Sequence, residues 1–271
     1  MPHKEFKFSG TGAVNYDRYL GPILFEPAAS QIVSFFDRGE RTDAILEIAG
    51  GTGRLTRHLL NRFPPPARLV ATDLNSDMLD IAKQRINNEA VEFSTEDAQD
   101  LSFADNSFDL AVCQFGLMFF PDKFKAAKEA FRVLRRGGRC FFSTWERVEF
   151  VPMFKLIYND VLLASVNDSD PARFLTPFSL YDPGLLQRLM QDAGFKNCQV
   201  GRVEFQSGVT DAEKIVKGFF SEHSVGAEIF RTDPELFQKI EEKMVAEIVR
   251  TFGDGQFSFG LVAHLVSGNK E

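Results

Sequence analysis

A strand-like apolar run that ends on glycines constrains this chain more than any other feature. Ile45-Leu46-Glu47-Ile48 leads into Ala49-Gly50-Gly51-Thr52-Gly53, and Arg54 opens a stretch with Leu55, Leu59 and Leu60 on one helical face. Strand, tight turn and helix in that order let the backbone pass close to a ligand. The free amides at the helix start then attract anionic or polar groups. The loop has no Gly-Lys-Ser/Thr, which excludes a phosphate loop of the nucleotide-hydrolase kind.

The same rhythm continues on both sides of the loop. Strands are expected at 44–48, 68–72, 91–94, 108–113 and 139–145. Helices are expected at 27–36, at 54–63 (ended by Pro64-Pro65-Pro66), at 76–86 with Ser76 as N-cap, and at 123–134, stopped by Gly137-Gly138. After Trp145 the pattern turns helical and aromatic. A helix at 185–193 closes on Gly194, a strand follows at 197–205, helices at 212–220 and 234–252, and a last strand at 257–266. Alternating strands and helices predict an α/β fold. The sheet is Rossmann-like, seven-stranded and mostly parallel with its last strand antiparallel; helices cover both faces and helical insertions form a cap. The expected division is an N-terminal helical lid segment at 1–38, a cofactor-binding core at 39–146, and cap helices with the closing strand pair at 147–271, including a helical insertion at 207–255.

Two acids stand at strand ends. Asp73 lies 20 residues beyond Gly53, where a carboxylate can accept from both hydroxyls of a ribose, each such bond being worth about 1.5–3 kcal/mol. Its structural alternative is a cap on the Ser76 helix. Glu47 precedes the loop; there it would repel a pyrophosphate but suit a ligand carrying an ammonium and a sulfonium. Its alternative is a buried acid bonded to loop amides. A dinucleotide fingerprint calls for Gly or Ala three residues after Gly53, where this chain has Thr56.

Charge and composition narrow the partners. With 31 basic and 38 acidic residues the net charge is −7, which disfavours nucleic acid; the densest basic spot is only Arg132, Arg135, Arg136 and Arg139. At 44% apolar and 25% charged the chain is not of the disordered type. No apolar run is long enough to span a membrane, and MPHKEFKFSG lacks the apolar stretch of a secretory signal. Cys113, Cys140 and Cys198 stand in apolar contexts without metal spacing. The expectation is therefore buried thiols in a reducing cytoplasm and no metal site.

The series LEIAGGTGR, ATDLNSDML, EDAQDL, NSFDLAVCQFGLMFFPD and RVLRRGGRCFF resembles the class I S-adenosylmethionine-dependent methyltransferases, in the small-molecule branch similar to the ubiquinone/menaquinone-biosynthesis enzymes. The resemblance is clear over residues 40–145. It implies S-adenosylmethionine as cofactor, with Ala49, Gly50, Gly51 and Gly53 passing under its methionine part. It further implies Asp73 on the ribose, Leu74 and Met78 on the adenine, Asp97 and the Ala98 amide at the adenine edge, and Gln114 and Phe115 at the amino end through their backbone. Related enzymes close an aromatic N-terminal segment over the cofactor, which makes Tyr16 a candidate contact. Two positions depart from the family pattern: Ala49 stands for the usual first glycine, and Arg135-Arg136-Gly137-Gly138 for Lys-Pro-Gly-Gly.

The expected function is methyl transfer to a small organic acceptor by in-line displacement. The alternatives are an NAD-dependent oxidoreductase on a similar sheet and a non-catalytic cofactor-binding homologue. No base motif stands out; His223, in the insertion, is the one histidine that could reach an acceptor.

Overall fold

In the computed structural model, residues 11–36, 42–63, 67–166, 171–221 and 224–271 are described. Seven strands form one sheet: β1 Ala44–Glu47, β2 Arg68–Asp73, β3 Val91–Thr95, β4 Phe108–Gln114, β5 Leu134–Trp145, β6 Lys196–Gln206 and β7 Gly260–Asn269, in the order β3-β2-β1-β4-β5-β7-β6. β1 to β5 run parallel, and β7 is antiparallel to both β5 and β6. The helices are α1 Thr11–Asn15, α2 Glu26–Ser34, α3 Arg54–Arg62, α4 Ser76–Ile86, α5 Lys123–Val133, α6 Pro152–Phe154, α7 Pro183–Ala193, α8 Ala212–Val216, α9 Ser224–Thr232 and α10 Pro234–Phe252. Three π-wound segments, Tyr16–Phe25, Lys155–Leu163 and Lys217–Ser221, extend α1, α6 and α8.

All four β1 residues are buried, because helices cover the sheet on both sides. One core packs Leu46, Val70, Ala111 and Phe142 beneath α5 and α7. The other packs Ile45, Leu69, Val112 and Phe141 against α2 and α3. Strand order reverses between β1 and β4, so the crevice for a ligand opens at the carboxyl ends of those two strands.

Several element ends differ from expectation. Asn75, not Ser76, caps α4, its side chain accepting from the Asp77 amide at 2.9 Å. Gly137 and Gly138 do not stop α5; the helix ends at Val133 and both glycines lie inside β5. Lys270 provides the stop, its Nζ donating to the carbonyls of Phe131 at 2.9 Å and Arg132 at 3.1 Å. Phe257 belongs to an isolated bridge with Thr210 rather than to β7. The Pro64–Pro66 stop lies outside the described residues. Within them, no helix is long and apolar enough to cross a membrane.

Candidate active site

The glycine loop is stitched to β2 by its own backbone. The Gly50 amide donates to the Thr72 carbonyl at 2.7 Å, and the Thr72 hydroxyl donates to the Glu47 carbonyl at 2.9 Å. The turn needs left-handed backbone at Ala49 (φ 54°), Gly51 (φ 56°) and Gly53 (φ 78°). Gly53 also faces α4, where a Cβ would come 3.0 Å from that of Ala82.

Asp73 ends β2 and holds the loop with one carboxylate oxygen and the turn into α4 with the other. Oδ2 accepts from the Gly51 amide and Oδ1 from the Asn75 amide, each at 2.9 Å. Burial pushes its pKa up, against the lowering effect of the backbone bonds from Asn75, Gly51 and Leu74. The expected alternative, a cap on α4, falls to Asn75 instead.

Glu47 is 1% exposed. Its Oε2 accepts from the Thr56 hydroxyl at 2.5 Å, while Oε1 is buried with no hydrogen-bond partner among the described residues. Burial pushes this carboxyl up to about 8; the Thr56 hydroxyl works against that and the Asp73 charge adds to it. Glu47 thus bonds to the first turn of α3 rather than to the loop. Thr56, a departure from the dinucleotide pattern, is the group that orients it.

The other predicted positions line the same edge. Leu74 is 63% exposed and Met78 is buried. Asp97 accepts from the backbone and side chain of Gln99 at 2.8 and 3.1 Å, in a turn just beyond β3, with Ala98 buried beside it. Gln114 ends β4; its Nε2 donates to the Phe25 carbonyl at 3.1 Å, and its Oε1 is buried without a partner among the described residues. Phe115 adopts φ 54°. Its amide donates to the Ser143 carbonyl and hydroxyl, which ties this turn to β5.

The Phe115 ring stacks on Trp145 at 3.8 Å and 7°. Aromatic contacts run on from there. Phe25 lies 6.1 Å from Phe115 and stacks on Tyr16 at 4.9 Å; in the other direction Trp145 meets Phe154, which meets Phe178 and Phe219. Burial, reinforced by the charges of Asp73 and Asp17, holds the Tyr16 phenol far above its usual pKa. His223 lies outside the described residues.

Sequence reasoning missed a charged cluster at the rim. The Asp17 carboxylate accepts from Thr52 Oγ1 at 2.7 Å, from Arg54 at 3.1 Å and from Arg85 at 2.5 Å. Glu26 adds bonds to Arg57 and His58. These partners stand 37 and 68 positions from Asp17 in the Arg54 and Arg85 pairs, so no local pattern in the sequence joins them.

Residues 46–142 match the model of a methyltransferase domain family. The chain is 33% identical over 170 residues to the ubiquinone/menaquinone biosynthesis C-methyltransferase UbiE of Klebsiella pneumoniae, covering 58% of this chain and 68% of that protein. Among solved structures it resembles phosphoethanolamine N-methyltransferase 2 of Haemonchus contortus in complex with S-adenosylhomocysteine (TM-score 0.61, 17% identity, 96% of this chain and 57% of that one). It also resembles the YcgJ protein of Bacillus subtilis (TM-score 0.58, 21% identity, 90% and 98%). Both structural matches speak for the fold. The motif series, the sheet order and the extent of the sequence match to UbiE together make the chain a member of the class I S-adenosylmethionine-dependent methyltransferases.

Proposed function

We propose that this enzyme holds S-adenosylmethionine across the carboxyl ends of β1, β2 and β4 and methylates a carbon of a small, electron-rich aromatic acceptor. The observation that carries the cofactor placement is the partnerless Glu47 Oε1, buried beneath the loop. Burial favours the protonated carboxyl and leaves this oxygen without a protein partner among the described residues; a cationic ligand beside it favours the charged form and supplies that partner. The cofactor's ammonium and sulfonium are such cations, so the residues present fit it. In this reading Ala49, Gly50, Gly51 and Gly53 pass beneath the methionine part and Asp73 takes the ribose. Leu74, Met78, Asp97 and Ala98 flank the adenine, Gln114 and Phe115 meet the amino end, and Tyr16 closes over it.

Bound S-adenosylmethionine supplies a methyl group already activated on sulfur. The protein's own task is orientation and exclusion of water, worth up to about 7–11 kcal/mol in ideal cases. The aromatic file from Tyr16 to Phe154 provides an apolar wall beside the β4 and β5 ends. Residues 146–195 and 207–255 serve as the acceptor cap over the core of 39–146, and residues 1–38 as the covering segment. The aromatic wall supports a flat apolar acceptor, and the names of the relatives supply carbon as the nucleophile. A base is required only if the acceptor arrives protonated.

Calorimetry with S-adenosylhomocysteine and with NAD tests the cofactor. Turnover of labelled methyl donor against hydroquinones, phenols and phosphoethanolamine tests the acceptor. Tight NAD uptake without S-adenosylhomocysteine uptake sinks the first part. Methyl transfer to the amine alone sinks the second.

A further inference from the structure

We propose that Asp17 is the positioning residue that docks the N-terminal segment onto the glycine loop, and that its ion cluster is the side that opens when the adenosyl ligand enters or leaves. This rests on the reading above, that the loop and Asp73 hold S-adenosylmethionine.

One carboxylate here joins three parts of the cofactor edge. Asp17 Oδ1 accepts from the hydroxyl of Thr52, a loop residue, at 2.7 Å. The same oxygen accepts from Arg54 Nε and Nη2, at the start of α3, at 3.2 and 3.1 Å. Arg85 Nη2, at the end of α4, reaches both Asp17 oxygens at 2.5 Å. Arg85 Nε donates in turn to the Thr52 carbonyl at 2.8 Å, and Arg54 Nη2 to the Asp17 carbonyl at 3.0 Å. The Asp17 carboxylate is therefore the acid that both guanidinium groups share beside the loop; Arg54 also reaches Glu26, its Nη1 lying 3.5 Å from Glu26 Oε2. Burial and the Arg54 charge both hold the Arg85 pKa down, against the pull of Asp17. Without the Asp17 carboxylate, Arg85 keeps the repulsion of Arg54 and loses its own counter-charge, while Arg54 keeps Glu26.

The far end of the same segment is held differently. The Gly208 amide donates to the Ile23 carbonyl at 2.9 Å, and a Cβ on Gly208 would come 2.2 Å from the Pro22 carbonyl oxygen. A Cβ on Gly218 would come 2.7 Å from Leu20 Cδ2. Leu20, Ile23 and Leu24 are buried. This end is apolar and closely packed, and opening it exposes hydrocarbon to water. The Asp17 end is ionic and reached by solvent: side-chain exposure is 18% for Asp17, 18% for Arg85 and 13% for Arg54. Water rehydrates those charges as they part, so separation there costs less than at the packed end. Tyr16 adjoins Asp17 and lies within the field of Asp73. Beyond the cluster, Tyr16 is held by its stack on Phe25, so opening at Asp17 leaves that stack as a remaining tie of the aromatic cover.

The test is the dissociation rate of S-adenosylhomocysteine from the full chain, followed by displacement in a stopped-flow instrument. Asp17→Asn, Asp17→Glu and the remote surface variant Arg68→Gln are compared with wild type. Raising sodium chloride from about 0.05 M to about 0.5 M is expected to speed release from wild type by about threefold or more, because screening weakens a partly exposed cluster. Asp17→Asn is expected to release about tenfold faster at low salt and to lose that salt response, with Asp17→Glu between the two and Arg68→Gln unchanged. Hydrogen exchange of residues 11–25 is expected to slow on ligand binding in wild type and to slow less in Asp17→Asn. A folded Asp17→Asn with the wild-type rate and salt response overturns the inference. If that variant does not fold, wild-type release that ignores salt overturns it. A wild type that takes up no S-adenosylhomocysteine removes the cofactor reading itself and this inference with it.

Discussion

Glu47 and Thr56, nine residues apart, meet at 2.5 Å across the gap between β1 and α3, and the hydroxyl is the donor to one oxygen of a buried carboxyl group. The other oxygen is left without a partner among the described residues. This arrangement keeps an acid under the loop that is poorly stabilised until a cation arrives.

The first consequence is a pH dependence of the unliganded enzyme. Burial pushes the Glu47 carboxyl of the folded chain up to about 8, from an ordinary value of 4.5. Between those values the folded chain keeps a proton that the unfolded chain has lost, so stability falls as pH rises through that window. The loss amounts to a few kcal/mol at about 1.4 kcal/mol per pH unit. Asp73, also pushed up, acts in the same direction. Thermal melting from pH 5 to pH 8 should show a steeper decline for wild type than for Glu47→Gln; equal slopes would remove Glu47 as the source.

Ala49 occupies left-handed backbone at φ 54° where a glycine is unstrained. That conformation costs a non-glycine residue about 1–2 kcal/mol. Ala49→Gly should raise the melting midpoint by a few degrees. Gly116→Ala should lower it, because the new Cβ would come 2.7 Å from both Ala49 Cβ and Cys113 Sγ. Ala49→Gly removes one of those two clashes, so the double variant should recover part of the loss. Strict additivity in a melting series would argue against the contact.

Asp73→Ala should weaken S-adenosylhomocysteine binding at least about tenfold by calorimetry, with far-ultraviolet dichroism unchanged. The same variant leaves the Gly51 and Asn75 amides without their acceptor, at a cost of about 1–3 kcal/mol in stability. Asp73→Asn, which keeps an acceptor oxygen, should retain more of the stability while still losing affinity. Unchanged affinity in both variants would take Asp73 out of the site.

Trp145, the only tryptophan in the chain, stacks on Phe115 at the ends of β5 and β4. Phe115→Ala should destabilise the fold by about 3–5 kcal/mol in a urea titration. It should also shift Trp145 emission to the red as water gains access. An unshifted spectrum would mean that Phe115 does not shield the indole.

The sequence by itself determined the alternation of strands and helices, the glycine turn after β1 and the acid ending β2. Each is written in neighbouring residues through hydrophobic period, backbone freedom and strand length. It also marked Glu47 and Thr56 separately, one as an acid before the loop and one as a departure from the dinucleotide pattern. Only the tertiary structure decided that they pair, because the turn folds α3 back beside β1. The end of α5 was misjudged for a similar reason: its last carbonyls are capped by Lys270, more than a hundred residues away, while Gly137 and Gly138 belong to a strand. The Asp17 cluster joins a carboxylate to guanidinium groups from two other segments, Arg54 of α3 and Arg85 of α4. Opposite charges carry no label of their partner in a linear chain, so sheet order and helix packing had to bring them together.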